Sequence, residues 1–160
     1  MRTAIGKLAF VAMLMSLSWV APAAWAQDSD PGMGTWKLNL AKSKYKPGPP
    51  HKSLVVTFEP AGKGVKASID VVNAQGEKTT LGYTAQYDGK DYPITGSATA
   101  DTVALKKLAG GKIERVDKKG GKLVQTFVRT VSADAKTMTI THQGTNSKGE
   151  PFDNVLVLEK

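Results

Sequence analysis

The chain has 160 residues, 22 lysines and arginines against 14 acids, and no cysteine. That length suits one domain around a single core. The missing cysteine excludes disulfides, thiolate metal sites and cysteine nucleophiles, so the core alone must hold the fold.

Residues 1–26 stand apart from the fold. Arg2 and Lys7 bracket the start, and LAFVAMLMSLSWV (8–20) is an unbroken run of 13 apolar or small residues. A membrane-spanning helix needs about 20. Ala24, Trp25 and Ala26 then place small residues where a signal peptidase reads. The expectation is a signal peptide over 1–26 and export to the periplasm or outside the cell after cleavage near Ala26. A membrane anchor or a buried N-terminal helix is the alternative; a lipoprotein anchor is excluded without cysteine. Losing Arg2 and Lys7 lowers the net charge from +8 to +6. Residues 27–33 read as a short N-terminal segment and 34–160 as one domain, with no transmembrane segment in the mature chain.

From Gly34 onward, short alternating apolar runs are separated by turns. Trp36, Leu38 and Leu40 alternate first, then Leu54, Val56 and Phe58, then Val65, Ala67, Ile69 and Val71. Such a period of two turns one face of a strand to a core and the other to solvent. NAQGE (73–77) leads into KTTLGYTAQY, where Leu81, Tyr83, Ala85 and Tyr87 share a face. DGK (88–90) is a hairpin signal, because Asp-Gly accepts positive φ. Further runs are DYPI, TVALKKL, KIERV, KLVQTFVRTV, TMTITHQ and NVLVLEK, separated by TGSATAD, AGG, DKKGG, SADAK and TNSKGEPFD.

No stretch carries a capped helical period, and β-branched residues and tyrosine fill the runs. The expected fold class is all-β: an antiparallel up-and-down meander of about 8–10 strands. Closure into a barrel removes two exposed edges; a flattened β-sandwich is the rival.

Gly34-Thr35-Trp36 at the start of the first strand, followed by a meander, resembles the calycin superfamily of lipocalins and fatty-acid-binding proteins. VRTVSADAKTMTITHQGTNSKGEPFDNVLVLEK is similar to the closing strands of fatty-acid-binding proteins, and YDGKDYPITG and DAKTMTITHQGT resemble secreted bacterial lipocalin-like proteins. The resemblance implies a lipocalin-like β-barrel and a small ligand inside it. It also implies that Trp36 packs under an arginine from a late strand, for which Arg129 is the better match of the two arginines beyond residue 26. Trp36 and Arg129, with Gly34 allowing close backbone approach, then close the barrel structurally. Fatty-acid-binding proteins place two helices after the first strand. Here that connection is AKSKYKPGPPHK, twelve residues with three prolines. Proline fixes φ and lacks a donor, so an extended segment is expected, as in the long mouth loop of lipocalins.

Candidate ligand-lining residues on the inward faces are Phe58, Ile69, Leu81, Tyr83, Tyr87, Phe127, Met138 and Ile140, with Val124 and Val128 competing against Phe127 for the inside. Tyr83 and Tyr87 alternatively fill the core or pair across strands. Lys42, Lys44, Lys46 and Lys52 of the connection are candidates for an anionic head group at the mouth, or else a solvated basic loop. No metal site is expected: Asp88 and Asp91 lack further carboxylates, and turn chemistry explains Asp88. No catalytic residue and no cofactor is assigned, since neither histidine has metal spacing and no nucleophile motif occurs. Nucleic acid is not expected as a partner, because aromatic-basic interleaving is thin.

The reading is an exported lipocalin-like protein that binds a small apolar or amphipathic molecule in its barrel. The alternative is a filled barrel that acts through its basic surface, for instance on an anionic envelope component. A third possibility is a hydrolase or isomerase built on His142, which needs that histidine in a pocket beside a Tyr or Asp.

Overall fold

The computed structural model describes residues 30–146 and 148–160. The expected signal peptide lies outside them. Ten strands close into one barrel: β1 (Gly34–Leu38), β2 (Ser53–Ala61), β3 (Gly64–Val72), β4 (Lys78–Gln86), β5 (Asp88–Thr95), β6 (Thr102–Lys107), β7 (Ile113–Lys119), β8 (Lys122–Val131), β9 (Thr137–Thr145) and β10 (Pro151–Glu159). Neighbours in space are neighbours in sequence, every pair is antiparallel, and β1 completes the ring between β2 and β10. Closure excludes the open sandwich. Among the described residues no helix is long and apolar enough to cross a membrane.

The alternating runs face inward as their period dictates. Leu54, Val56 and Phe58 of β2 and Val65, Ala67 and Ile69 of β3 are buried. Each face-to-core residue is followed by one on the outer face. The ring has two ends. One gathers residues 30–33 and the tight turns after β2, β4, β6 and β8; it is called the Trp36 end. The other gathers the β1–β2 connection and the turns after β3, β5, β7 and β9, and is called the His51 end.

Three local expectations change. The chain turns at Tyr87, before the Asp-Gly pair, and Asp88 already belongs to β5. Gly89 (φ +75°) sits instead in a bulge, where Asp88 pairs with Lys106 and Asp91 with Ala104. The Asp88 side chain accepts the Lys90 N–H there. Likewise Asp117, Lys118 and Lys119 of DKKGG continue β7, and the turn narrows to Gly120-Gly121. Asp117 is thereby inside the barrel and fully buried.

The third change concerns the connection after β1. As expected it forms no α-helix, only a 3-10 turn at Leu40–Lys42. It then runs along β10 rather than across the mouth. Lys44 exchanges two backbone hydrogen bonds with Val155 (2.7 and 2.8 Å), and Lys46 receives the Asp153 N–H. The buried Asn154 side chain accepts the Lys46 N–H at 2.9 Å.

The barrel wall is weakly paired between β4 and β5, which pair only at Gly82–Thr95 and Tyr83–Ile94, as β1 and β10 do only at Lys37–Glu159 and Leu38–Leu158. The Ile94 N–H is used on the β6 side, by Asp101. The Pro93 nitrogen therefore points toward β4, where it has no hydrogen to offer.

Candidate functional site

The barrel interior holds a cavity of about 330 Å³, open to solvent where exposed Thr79, Ala98 and Thr99 line it. Six of the eight expected lining residues stand on its wall: Phe58, Ile69, Leu81, Tyr83, Phe127 and Ile140. Phe127 faces inward with Gln125 and Arg129 at the same period of two, so neither Val124 nor Val128 lines the cavity. Tyr87 and Met138 do not line it either. Met138 is fully buried in the packed core. Tyr87 lies at the turn after β4, where its hydroxyl donates to Asp30 at 2.5 Å.

None of Lys42, Lys44, Lys46 and Lys52 lines the cavity. Lys42 pairs with Glu159 on the outer surface at 2.6 Å, and the bonds to β10 hold Lys44 and Lys46 against the barrel wall. The Lys52 N–H goes to Val72. From this connection the cavity receives His51 alone, whose ring bonds the Tyr45 hydroxyl at 3.3 Å. Burial pushes its pKa below the usual histidine range.

A line of polar side chains on β7, β8 and β9 runs through the interior, and of its members Arg115, Asp117, Gln125 and His142 only the histidine was weighed as a site residue in the sequence. Arg115 and Asp117 sit two apart on β7, so both side chains point inward, and the strand repeat itself brings them together. Arg115 Nε and Nη2 each donate to one Asp117 carboxylate oxygen at 2.7 Å. This two-point geometry matches the planar fork. The guanidinium also lies over the Tyr83 and Phe127 rings, at 4.9 and 4.6 Å. Burial disfavours its charge, but Tyr83 and Asp117 outweigh that and the net pKa rises.

Gln125 extends the line. Its amide nitrogen donates to Asp117 at 2.7 Å, which turns its carbonyl oxygen to His142 Nε2 at 3.1 Å. A carbonyl only accepts, so Nε2 carries the imidazole proton and Nδ1 is left as a bare acceptor. The ring stacks on Phe127 at 4.0 Å and meets Phe152 edge-on at 4.6 Å. Burial first, then the positive charge of Arg115 and the neighbouring His51, push its pKa down to about 3. Its side-chain partner is an amide, not the Tyr or Asp that acid–base chemistry would need.

The Trp36 end carries a second arginine. Arg129 pairs with Asp30, lies over the Phe58 ring at 4.5 Å, and reaches the Tyr87 hydroxyl at 3.5 Å. Burial pushes the Asp30 pKa up, but Arg129, Tyr87 and the Gly32 N–H outweigh it and hold the carboxyl below its usual range. Trp36 is fully buried and its indole N–H donates to Gly32 O at 2.7 Å. The cation over the indole is Lys160, at 4.8 Å, not the expected Arg129. Asp30 has claimed the arginine.

The expected close-approach glycine is also a different one. A Cβ on Gly32 would lie 1.6 Å from Arg129 Nη1, whereas one on Gly34 would meet only the Lys160 side chain. Gly34 is required instead by its φ of +109°.

No protein-family model and no curated protein matches the chain. Among solved structures it is similar to zebrafish ileal bile acid-binding protein complexed with cholic acid, at 16% identity and a TM-score of 0.41, over 81% of this chain and 98% of that one.

Proposed function

We propose that the chain is an exported carrier that holds one small amphipathic molecule reversibly inside its barrel. The observation that carries this reading is the interior cavity of about 330 Å³, open to solvent at the His51 end, which falls in the lower part of the range that small-molecule sites occupy. Its wall is mostly aliphatic and aromatic, from Leu54, Phe58, Ile69, Leu81, Phe127 and Ile140, with a short polar line from Arg115 to His142. Apolar walls supply the transfer free energy, and a few fixed polar groups set orientation. Export rests on the apolar run at 8–20 and the small residues before Gln27.

The test is the intact and native mass of the protein isolated from the envelope fraction without detergent. The expected result is a chain beginning at Gln27 with one small molecule retained, which extraction then identifies. A chain that keeps residues 1–26 overturns export. An unliganded mass that no apolar probe shifts overturns the carrier and leaves a barrel acting through its surface.

A further inference from the structure

We infer that the molecule held in the barrel is uncharged, with a hydrogen-bond-accepting oxygen as its polar end, such as a hydroxyl, ketone or ester. This inference rests on the cavity reading above and names the class of ligand. It follows from the charge balance of the interior. Among the described residues, the only formally charged side chains on the cavity wall are Arg115 and Arg129, and no carboxylate lines it.

Each guanidinium already has its own carboxylate behind it. Asp117 takes two nitrogens of Arg115 and is fully buried. Asp30 takes Arg129, with side chains 6% and 9% exposed. Both histidines on the wall are held toward the neutral form by burial.

A ligand carboxylate would therefore enter as an excess buried anion. It would have to share Arg115 with Asp117 or displace Asp30 from Arg129, and either leaves a charge without a full partner away from water. An ammonium group meets the opposite obstacle, since Arg115 and Arg129 line the cavity and their carboxylates do not. A neutral oxygen meets neither. Arg115 Nη1 is the nitrogen that Asp117 leaves unengaged, and the Tyr83 hydroxyl is a second donor on the same wall. The pairs present a positive dipole end without net charge, which orients a lone pair and does not demand an anion.

The experiment compares 1-decanol, decanoate and decylammonium by calorimetry at pH 7.5, using the full processed protein stripped of any native ligand. The three share one chain length, so the head group alone differs. The expected result is that 1-decanol binds at least tenfold tighter than either ion. In Asp117→Asn, which leaves Arg115 without its counter-charge, decanoate gains at least tenfold relative to 1-decanol. Decanoate or decylammonium equal to 1-decanol in the unmodified protein overturns the inference while leaving the cavity reading intact. Failure of all three to bind overturns both. The comparison in the unmodified protein decides the matter even if Asp117→Asn does not fold.

Discussion

The two ends of the barrel are built from the same hairpin meander and filled differently. At the Trp36 end, Trp36, Val65, Met138 and Leu158 are almost wholly buried, and residues 30–33 fold in beneath them. At the His51 end the cavity wall is made by half-buried or exposed residues such as His51, Val71, Thr79, Ser97 and Thr99. Strand pairing gives the ring; side-chain volume decides where it is solid and where it has room. Stability should therefore concentrate at one end and selectivity at the other.

The sharpest test of that division is Trp36→Ala. It removes the largest buried ring and its bond to Gly32, with an expected loss of about 4 kcal/mol. Leu81→Ala, on a half-buried cavity wall, should cost about 1–2 kcal/mol, because truncation there enlarges an existing space and disrupts less packing. Urea midpoints at pH 7.5 measure both. Equal losses would mean that the ends do not differ in the way their packing implies.

The next test concerns the ion pair that pins the N-terminal segment. Asp30→Asn leaves Arg129 buried without its carboxylate and should cost about 3 kcal/mol. The double variant Asp30→Asn with Arg129→Met removes the stranded charge and should recover most of that loss. A double variant no better than Asp30→Asn would place the effect in the packing of residues 30–33 and not in the charge.

What the sequence made legible follows the same line between apolar and polar interior. On β2 and β3 the inward residues are apolar and the outward ones polar, so alternation alone identifies the core face. On β7 the inward residues are Ile113, Arg115 and Asp117, and on β8 they include Gln125 and Arg129. A hydropathy pattern reads such faces as exterior, and it placed Asp117 in a turn. The spacing of Arg115 and Asp117 was the available signal, since residues two apart on a strand share a face. Arg129 was legible as an interior residue, but its partner was not. Asp30 lies 99 positions away in sequence, ahead of the first alternating run, and only closure of the ring brings the two together. The lysines of the connection were misplaced for a related reason. Their charge suggested a mouth, while backbone pairing to β10 and the Asn154 cap set their course.

A pH-dependent effect tests the electrical neutrality of the interior near the His51 end. His142 titrates at about 3 in the folded barrel, against an ordinary value of 6.5 that applies to the unfolded chain. Well above pH 6.5 neither state protonates it and its contribution is constant. Below that, the unfolded chain gains a proton that the barrel refuses, so stability falls with a limiting slope of about 1.4 kcal/mol per pH unit. By pH 5 the loss is about 2 kcal/mol. His142→Phe keeps a ring to stack on Phe127 and cannot titrate. Its stability relative to the unmodified protein should rise by that amount between pH 7.5 and pH 5. The lowered pKa of His51 contributes a slope of the same sign to both proteins and cancels in the difference. Asp30, held below its ordinary 3.8, keeps its contribution throughout this window and loses it only under stronger acid. Parallel stability curves for the two proteins would mean that His142 accepts its proton inside the barrel. The interior would then carry an uncompensated positive charge in mild acid, and a ligand carboxylate would have the partner that the neutral imidazole denies it.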